Sequence, residues 1–275
     1  MEQPALFALH DVTLERAGRP ILSNVSWSVA NGEYWALLGR NGSGKSTLLQ
    51  LAIGRLWPNS GSIERQGCPR IDLPLFWRRV GWITDDFASW IPPTERALET
   101  VLSGRFAQFG LKQFHDAAPT ATDWEQAESA LIAAGCGELR DRPFGVLSHG
   151  ERRKVLVARA RVAQALCLVL DEPCDGMDPG SREQFLRWLG EYLRGPAHPG
   201  RAAVILVTHH IEEILPEFGL TLILRDGRIM ACGATAELLT AETIEQLYGS
   251  RLNRLERHAG RVWPIWDGSI VSGRP

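Results

Sequence analysis

The stretch GRNGSGKST at residues 39–47 decides how this chain folds. The apolar run EYWALL stands directly before it and predicts a buried β-strand, and the sequence STLLQLAIGRL after it has helical spacing. A glycine-rich loop therefore joins a strand to a helix. Its Gly39, Gly44, Lys45 and Ser46 satisfy GxxxxGK[ST], a pattern in which backbone amides and the positive end of a helix surround phosphate oxygens.

The order of residues in this loop favours a phosphate ligand over two other interpretations. A dinucleotide-binding fingerprint that begins at Gly42 needs glycine or alanine where Thr47 stands. A glycine turn without a ligand does not explain why Lys45, a cation for phosphates, and Ser46, a hydroxyl ligand for Mg²⁺, follow in that order. The residues expected to bind the phosphates are Gly39, Arg40, Asn41, Gly42, Ser43, Gly44, Lys45, Ser46 and Thr47.

The segments around the loop predict an α/β fold. Short β-rich pieces fill residues 6–38, and three later apolar runs, ALCLVLDEP, AAVILVT and LTLILRDG, are typical of buried strands. The helical sequence REQFLRWLGEYL separates the first two of these runs. Alternating strands and helices predict a mostly parallel core sheet, here preceded by an antiparallel β part.

Residues 86–147 have a different, helical character and are interpreted as an insertion. Within them, Thr122 followed by Glu125 predicts a helix that begins with a capping box. A second box, Ser148 with Glu151, predicts another helix directly after the insertion. Its N-terminus is a second candidate site for an anion.

Composition narrows the function classes. The chain has 30 Lys and Arg against 32 Asp and Glu, a net charge of -2, so no basic field suggests a nucleic-acid partner. Five cysteines form no CxxC pair, which fits a reducing compartment. The N-terminus does not have the pattern of a signal peptide, and no apolar run reaches the roughly 18 residues of a membrane span. We therefore expect a cytoplasmic protein.

Two acids stand at the end of a predicted strand in CLVLDEP. The carboxyl ends of parallel strands lie at the ligand-binding edge of an open α/β sheet, so Asp171 and Glu172 are expected near the phosphate loop. One carboxylate can hold the Mg²⁺ shell while the next orients water.

Three further motifs give this pattern a family. LSHGE at 147–151 resembles the LSGGQ signature of ATP-binding cassette (ABC) ATPases, and it precedes the Asp171 strand at the family's spacing. DGMD at 175–178 resembles the family's D-loop, and VTHH at 207–210 resembles its switch-histidine motif. The likeness spans most of the chain.

The resemblance implies a P-loop NTPase cassette with a mostly parallel core sheet, an N-terminal antiparallel β part and an inserted helical subdomain. We predict a discontinuous ATP-binding core at 1–85 and 164–250, a helical signature subdomain at 86–163 and a C-terminal appendage at 251–275. In such a cassette the phosphate loop and the signature cannot share one nucleotide. Two copies therefore pair head to tail when ATP binds, as a homodimer.

The resemblance also assigns roles to single residues. Glu172 is the catalytic base or water-orienting residue, Asp171 holds the Mg²⁺ shell with Ser46, and His209 contacts the γ-phosphate. Lys45 completes the catalytic set. The signature residues expected to bind ATP from the second copy are Ser148 and Gly150.

The chain departs from the family pattern at three positions. Asp85 stands where the family usually has a glutamine that touches Mg²⁺, and we predict that it is a magnesium ligand that adds negative charge beside Glu172. Arg16 stands where an aromatic residue commonly stacks on adenine; its guanidinium either stacks there or is a solvated turn residue. His149 replaces a glycine of the signature.

The function implied is Mg²⁺-dependent ATP hydrolysis at the cytoplasmic face of a membrane, which energises transport through a separate integral-membrane permease. A weaker resemblance is to cassettes of molybdenum or metal-oxyanion transport. Trp77, Trp82 and Trp90 either receive the permease or belong to the core of the helical lobe. The alternative function is a soluble cassette that acts as a mechanical switch on a nucleic-acid or assembly partner. Repair proteins of this kind carry a long coiled-coil insertion, and translation factors usually carry two cassettes. This sequence shows neither feature, which disfavours the alternative.

Overall fold

The computed structural model describes residues 5–112, 118–195 and 202–270. Its strands are β1 (Phe7–Arg16), β2 (Arg19–Val29), β3 (Tyr34–Leu38), β4 (Ser60–Arg65), β5 (Val80–Ile83), β6 (Cys167–Asp171), β7 (Ala203–Thr208), β8 (Leu220–Arg225), β9 (Arg228–Ala234), β10 (Ser250–His258) and β11 (Arg261–Ile270). Its helices are α1 (Lys45–Ala52), α2 (Leu73–Arg78), α3 (Asp85–Ser89), α4 (Ala97–Ser103), α5 (Ala121–Ala133), α6 (His149–Val162), α7 (Pro179–Arg194), α8 (Thr235–Leu238) and α9 (Ala241–Tyr248).

The chain forms two compact units, residues 1–71 with 203–275 and residues 72–202. In the first unit β3 lies between β7 and β8 and is parallel to both, while β9 runs antiparallel to β8. A separate antiparallel sheet has the order β2-β1-β4. The α/β fold with a mostly parallel sheet and an N-terminal antiparallel part is thus confirmed.

The strand before the glycine loop is buried on both faces. Ala36, Leu37 and Leu38 of β3 are fully buried, which is why this segment shows a continuous apolar run and no alternation. The helix after the loop, α1, buries Leu48 and Leu49 completely. Each such side chain contributes roughly 1.5–3 kcal/mol when it leaves water. The loop is therefore anchored at both ends by the core.

A buried arginine completes the C-terminal end of α1. Arg65 of β4 donates from its guanidinium to the carbonyl oxygens of Leu51 and Ala52, each at 2.6 Å. These carbonyls belong to the last turn of the helix, whose carbonyls have no partner within the helix itself, although that of Leu51 also accepts from the amide of Gly54. A cation at this end also interacts favourably with the helix dipole. Arg65 thus ties the antiparallel sheet to the phosphate-loop helix.

The C-terminal segment, predicted only as an appendage, is an antiparallel β-hairpin. β10 pairs with β11 from His258 opposite Arg261 to Ser250 opposite Ile270. Register shifts interrupt the pairing near Leu252. A bulged strand loses the strict two-residue alternation that identifies strands in a sequence, which explains why the pattern was not visible. Residues 271–275 lie outside the described residues.

In the second unit β5 pairs in parallel with β6, and α6 packs on α4 and α5. The capping box predicted at Thr122 and Glu125 is wrong: α5 is capped by Thr120, whose hydroxyl accepts from the amide of Asp123 while the Asp123 carboxylate accepts from the amide of Thr120. Asp123 also pairs with Arg105 at 3.3 Å. This contact, between residues distant in sequence, favours the earlier start.

Two other features of this unit are the start of α7 and the exposure of the three tryptophans. Asp178 caps α7 by accepting from the amides at positions 180 and 181, with Pro179 at the first helical position. The three tryptophans separate into two groups. Trp82 is 7% exposed and belongs to the core around β5, whereas Trp77 and Trp90 are 37% and 53% exposed.

Candidate functional site

The phosphate loop in the first unit needs glycine at Gly39 for space. A Cβ there would lie 2.4 Å from the carbonyl oxygen of Leu224 and 2.6 Å from the Oγ of Ser43. The loop is supported from the same side, because the amide of Gly227 donates to the carbonyl of Ser43 at 3.1 Å. The turn between β8 and β9 therefore fixes the path of the phosphate loop.

Two more loop glycines are needed for conformation. Gly44 has a φ of +103° at the N-cap of α1, and a Cβ there would also meet the Leu22 side chain at 2.9 Å. Gly42 has a φ of +78°, with no atom within 4 Å of an added Cβ. Side-chain-bearing residues rarely adopt such angles. Gly44 and Gly42 therefore allow the backbone path of the loop.

Lys45 is held at the centre of this loop and is only 5% exposed. Its ammonium donates to the carbonyl of Gly39 at 2.8 Å and to that of Arg40 at 3.2 Å. Ser43 is also 5% exposed, and within the described residues its buried Oγ has no hydrogen-bond partner. A buried cation, an unsatisfied hydroxyl and a helix N-terminus together fit a polyphosphate.

The strand register brings His209 to the same sheet edge as the phosphate loop. β3 and β7 are parallel, with Leu38 opposite Thr208, so Gly39 and His209 are the next residues on neighbouring strands. The loop after β7 is well anchored. The Thr208 hydroxyl donates to the carboxylate of Glu213 at 2.6 Å, and both side chains are almost fully buried.

The predicted acids follow the strand pair of the second unit. Ile83 of β5 lies opposite Leu170 of β6, so Asp85 and Asp171 leave the same end of this pair. Asp85 is the first residue of α3, after Thr84 as its N-cap. The register therefore supports their predicted proximity, although the side chain of Asp85 is outside the described residues.

Glu172 has a backbone φ of +48°, which is uncommon for a residue other than glycine. Its carbonyl accepts from the amide of Asp175 at 3.2 Å, which closes a turn directly after β6. The next carbonyl, of Pro173, accepts from Nε of Arg153, a guanidinium that is 2% exposed. Such left-handed residues are concentrated at functional sites, where the surrounding structure holds them.

The signature segment forms the N-terminus of α6. The Ser148 hydroxyl accepts from the amide of Glu151 at 3.3 Å, and the Glu151 carboxylate accepts from the amide of Ser148 at 2.7 Å, which confirms the predicted capping box. Burial alone would raise the pKa of Glu151, but these hydrogen bonds and the guanidinium of Arg142 lower it below its usual range. Around Gly150, no atom lies within 4 Å of an added Cβ.

A cavity of about 300 Å³ lies between the signature and the segment that leads into α7. His149, the departure from the family signature, packs its ring against the backbone of Gly176, where an added Cβ would lie 3.4 Å from Cε1. The other lining residues include Ser148, Lys154, Asp178 and Gln184. The histidine therefore links the signature to the D-loop-like segment.

Arg16 lies in the tight turn between β1 and β2, opposite Arg19, and is exposed. The positive φ angles of Ala17 and Gly18 form this turn. Its proposed contact with adenine remains a prediction. A further contact was not predicted: the hydroxyl of Tyr248 donates to the carbonyl of His209 at 2.6 Å. The two residues are distant in the chain, so no local pattern connects them.

Within the described residues, no helix combines the length and hydropathy that a bilayer crossing requires. A family model described as "ABC transporter" matches residues 22–175. The uncharacterized ABC transporter ATP-binding protein YlmA of Bacillus subtilis is 32% identical over 253 residues, with 91% of this chain and 93% of that protein covered. The manganese transport system ATP-binding protein MntB of the same organism is 29% identical over 249 residues, covering 90% and 94%.

Among solved structures, CbiO1 from Clostridium perfringens, part of the ABC transporter complex CbiONQ, has a TM-score of 0.74 at 24% identity. The alignment covers 89% of this chain and 94% of that one and supports the fold. The match over more than half of the chain and the identity to full-length relatives agree with the phosphate loop and signature helix described above. The chain is therefore a member of the ABC transporter family, as its ATP-binding, ATP-hydrolysing subunit.

Proposed function

We propose that this ATPase holds the phosphates of ATP in the loop at residues 39–47. The observation that carries the proposal is the buried ammonium of Lys45, fixed by two carbonyls of its own loop at the start of α1. Lys45 neutralises charge on the transferred phosphoryl group, and the loop amides position it. The unsatisfied Oγ of Ser43 offers a further donor.

The catalytic roles follow from residues at the carboxyl ends of two strand pairs, β3 with β7 and β5 with β6. His209, which shares a sheet edge with the loop, donates a hydrogen bond to the γ-phosphate. Glu172 orients the attacking water and accepts its proton, and the turn closed by the amide of Asp175 holds its backbone. Preorganisation of this kind lowers the barrier because no reorganisation is needed during the reaction.

Magnesium would be held by the hydroxyl of Ser46 and the carboxylates of Asp171 and Asp85. Hydroxyl and carboxylate oxygens are the ligands that Mg²⁺ prefers, so the donor set fits the ion. When bound, Mg²⁺ neutralises charge on the phosphate oxygens. The parallel register of β5 and β6 supports a joint role for the two aspartates.

We infer that a second copy completes each site. Ser148 and Gly150 lie in the first turn of α6, whose N-terminus attracts anions, and Gly150 leaves space for a close approach. Both residues would bind the ATP held by the phosphate loop of the other copy. ATP would therefore induce a head-to-tail homodimer.

The permease would dock on an aromatic patch in the second unit, formed by Phe87, Trp90 and Phe109. Trp90 and Phe109 are 53% and 38% exposed, with ring centroids 5.0 Å apart. Arg159 supports the patch from below, with its guanidinium 5.0 Å from the Phe87 ring centroid. Exposed aromatic side chains on a rigid base are typical of interface anchors.

Docking at a permease places the subunit at the cytoplasmic face of the membrane. For the cargo, the resemblance to molybdenum or metal-oxyanion systems remains a prediction. The alternative, a switch acting on nucleic acid, gains no support from the net charge of -2, because binding to phosphate backbones depends on basic residues.

The test is binding of a fluorescent ATP analogue and release of phosphate by the purified chain. K45A should weaken nucleotide binding about 10- to 100-fold, the loss expected for charged hydrogen bonds. K112A is the matched control, because Lys112 is exposed. Equal binding by K45A and the wild type would refute the assigned phosphate site.

A further inference from the structure

The C-terminal hairpin, β10 with β11, packs on the segment that follows His209. The guanidinium of Arg261, the first residue of β11, donates from Nε to the carbonyl of Glu212 at 2.7 Å, and a second guanidinium nitrogen donates to the same oxygen. The turn of the hairpin touches the chain slightly further on, where a Cβ on Gly260 would lie 2.6 Å from Cγ of Pro216. The hairpin therefore contacts the loop after β7 at two points.

Arg261 is itself held in one orientation. Its guanidinium lies over the ring of Trp263, with 4.6 Å between the guanidinium carbon and the ring centroid. Stacking on an aromatic face fixes the plane of an arginine and leaves its N–H groups directed outward. Two hydrogen bonds from one planar group to one carbonyl then restrain both the position and the direction of that peptide.

A second restraint acts on His209 directly. Tyr248, the last residue of α9, donates its hydroxyl to the backbone carbonyl of His209 at 2.6 Å. The tyrosine ring makes an edge contact with Trp266 of β11, with centroids 5.4 Å apart. The hairpin thus determines where the tyrosine hydroxyl lies, and that hydroxyl determines where the peptide of His209 lies.

The tyrosine hydroxyl remains a donor at neutral pH. Burial raises the pKa of Tyr248, and the negative charge of Glu212 raises it further, while the positive charge of Arg40 in the phosphate loop partly opposes both. The hydroxyl therefore keeps its proton and can donate to the carbonyl of His209.

We propose that the C-terminal hairpin is a positioning element for the switch histidine, acting through Tyr248 and Arg261 on the carbonyls of His209 and Glu212. The proposal rests on the role of His209 at the γ-phosphate given under the proposed function. Neither Tyr248 nor Arg261 touches the substrate. Both are positioning residues, and they fix the backbone from which the imidazole extends.

The first test uses single variants and steady-state ATPase kinetics. Y248F removes only the hydroxyl, and R261Q removes the paired donors. Each should lower kcat about 5- to 20-fold, the loss of a positioning hydrogen bond, while the KM for ATP changes less than about twofold. R261K, which retains a charged donor, should recover part of the loss.

The matched control is R257Q. Arg257 belongs to the same hairpin and donates to a backbone carbonyl as well, but its acceptor is Leu239, away from the loop of His209. If the hairpin contributes only general stability, R257Q and R261Q should affect kcat alike. If the proposal holds, R257Q retains wild-type kcat and R261Q does not.

The second test asks whether the effect passes through the histidine. In an H209A background, Y248F should cause no further loss of turnover. A full additional loss, or a wild-type kcat for Y248F in the native background, would overturn the proposal. If H209A itself keeps wild-type kcat, the γ-phosphate role of His209 has failed and the positioning role fails with it. Loss of activity in H209A with unchanged Y248F and R261Q rejects the positioning role alone.

Discussion

Glu172 combines a strained backbone with a catalytic assignment. A left-handed conformation costs a residue with a Cβ roughly 1–2 kcal/mol, so the surrounding contacts must stabilise it. Those contacts are the turn closed by the amide of Asp175 and the hydrogen bond of the buried Arg153 to Pro173. The carboxylate therefore starts from a fixed backbone and needs little reorientation when substrate is present.

We expect E172Q to lower ATP turnover about 10²- to 10⁴-fold, because the amide cannot accept the proton of the attacking water. Nucleotide binding should remain, since the phosphate loop is untouched. Phosphate release and analogue binding measure the two effects separately. E191Q, at an exposed glutamate of α7, is the control for loss of one charge. Unchanged hydrolysis by E172Q would show that another group activates the water.

At Gly39 the prediction concerns space. G39A places a methyl group 2.4 Å from the Leu224 carbonyl, so β8 or the loop must move, at a cost of about 1–3 kcal/mol in the free energy of unfolding. ATP affinity should fall as well, because the displaced loop carries the phosphate donors. Urea unfolding and analogue binding are the measurements.

G18A is the comparison for G39A. Gly18 has a φ of +71° but open space around an added Cβ, so only backbone strain is introduced, at an exposed turn. This variant should lose stability by about 1 kcal/mol and keep its affinity for ATP. If G39A binds ATP as G18A does, the close contact with Leu224 does not control the loop.

Among the elements, α6 shows the capping box at its clearest. The reciprocal bonds between Ser148 and Glu151 satisfy two groups that a free helix end would leave to solvent. Arg142 adds a charged contact to the Glu151 carboxylate at 2.9 Å. The signature serine therefore has a structural role before any nucleotide arrives.

The lowered pKa of Glu151 predicts a pH dependence. Because the folded pKa lies below the unfolded value of about 4.3, the carboxylate stabilises the fold above that value, and this contribution is lost as pH falls through the folded pKa. The free energy of unfolding of the wild type, measured with denaturant, should therefore fall between about pH 5 and pH 3. In E151Q it should depend less on pH over this range. E125Q, at an exposed glutamate of α5, should retain the wild-type profile. Identical profiles for E151Q and the wild type would contradict the interpretation.

The elements also show where sequence patterns suffice. The strand before the phosphate loop and the Ser148 box were predictable because each depends on residues close together in the chain, and the parallel sheet was predictable from the alternation of strands and helices. The start of α5 was not, since Thr120 and Thr122 both begin acceptable capping boxes and Asp123 gains its pairing with Arg105 from a distant segment. The hairpin was hidden by its bulges, and its link to His209 arises only in the folded chain.

At the scale of the whole molecule, the candidate site contains residues whose placement a strand register supports and residues that we propose to act toward a second copy. The registers place Gly39 with His209, and Asp85 with Asp171. Ser148 and Gly150 lie in the first turn of α6, and their role toward another copy remains a prediction. The motifs were predicted from the sequence, and the pairing of copies is a prediction from the family resemblance, whereas the strand registers arise only in the folded chain.

The dimer gives the prediction at this scale. E172Q should elute as a dimer in MgATP and as a monomer without nucleotide, because ATP bridges the copies and is not turned over. S148R with E172Q should remain monomeric, since a bulky side chain blocks the helix end that receives ATP. S129R with E172Q is the control on the exposed face of α5. Dimerisation of the S148R variant would exclude the signature from the interface.

The seat of Lys45 has a consequence for the kinetics of nucleotide capture. The ammonium is already held by the carbonyls of Gly39 and Arg40 before a ligand binds. The loop therefore loses little conformational entropy on binding. The association rate of nucleotide should then be limited by diffusion, and no slow phase of loop ordering should be seen. Differences in affinity among nucleotides would accordingly appear in their dissociation rates.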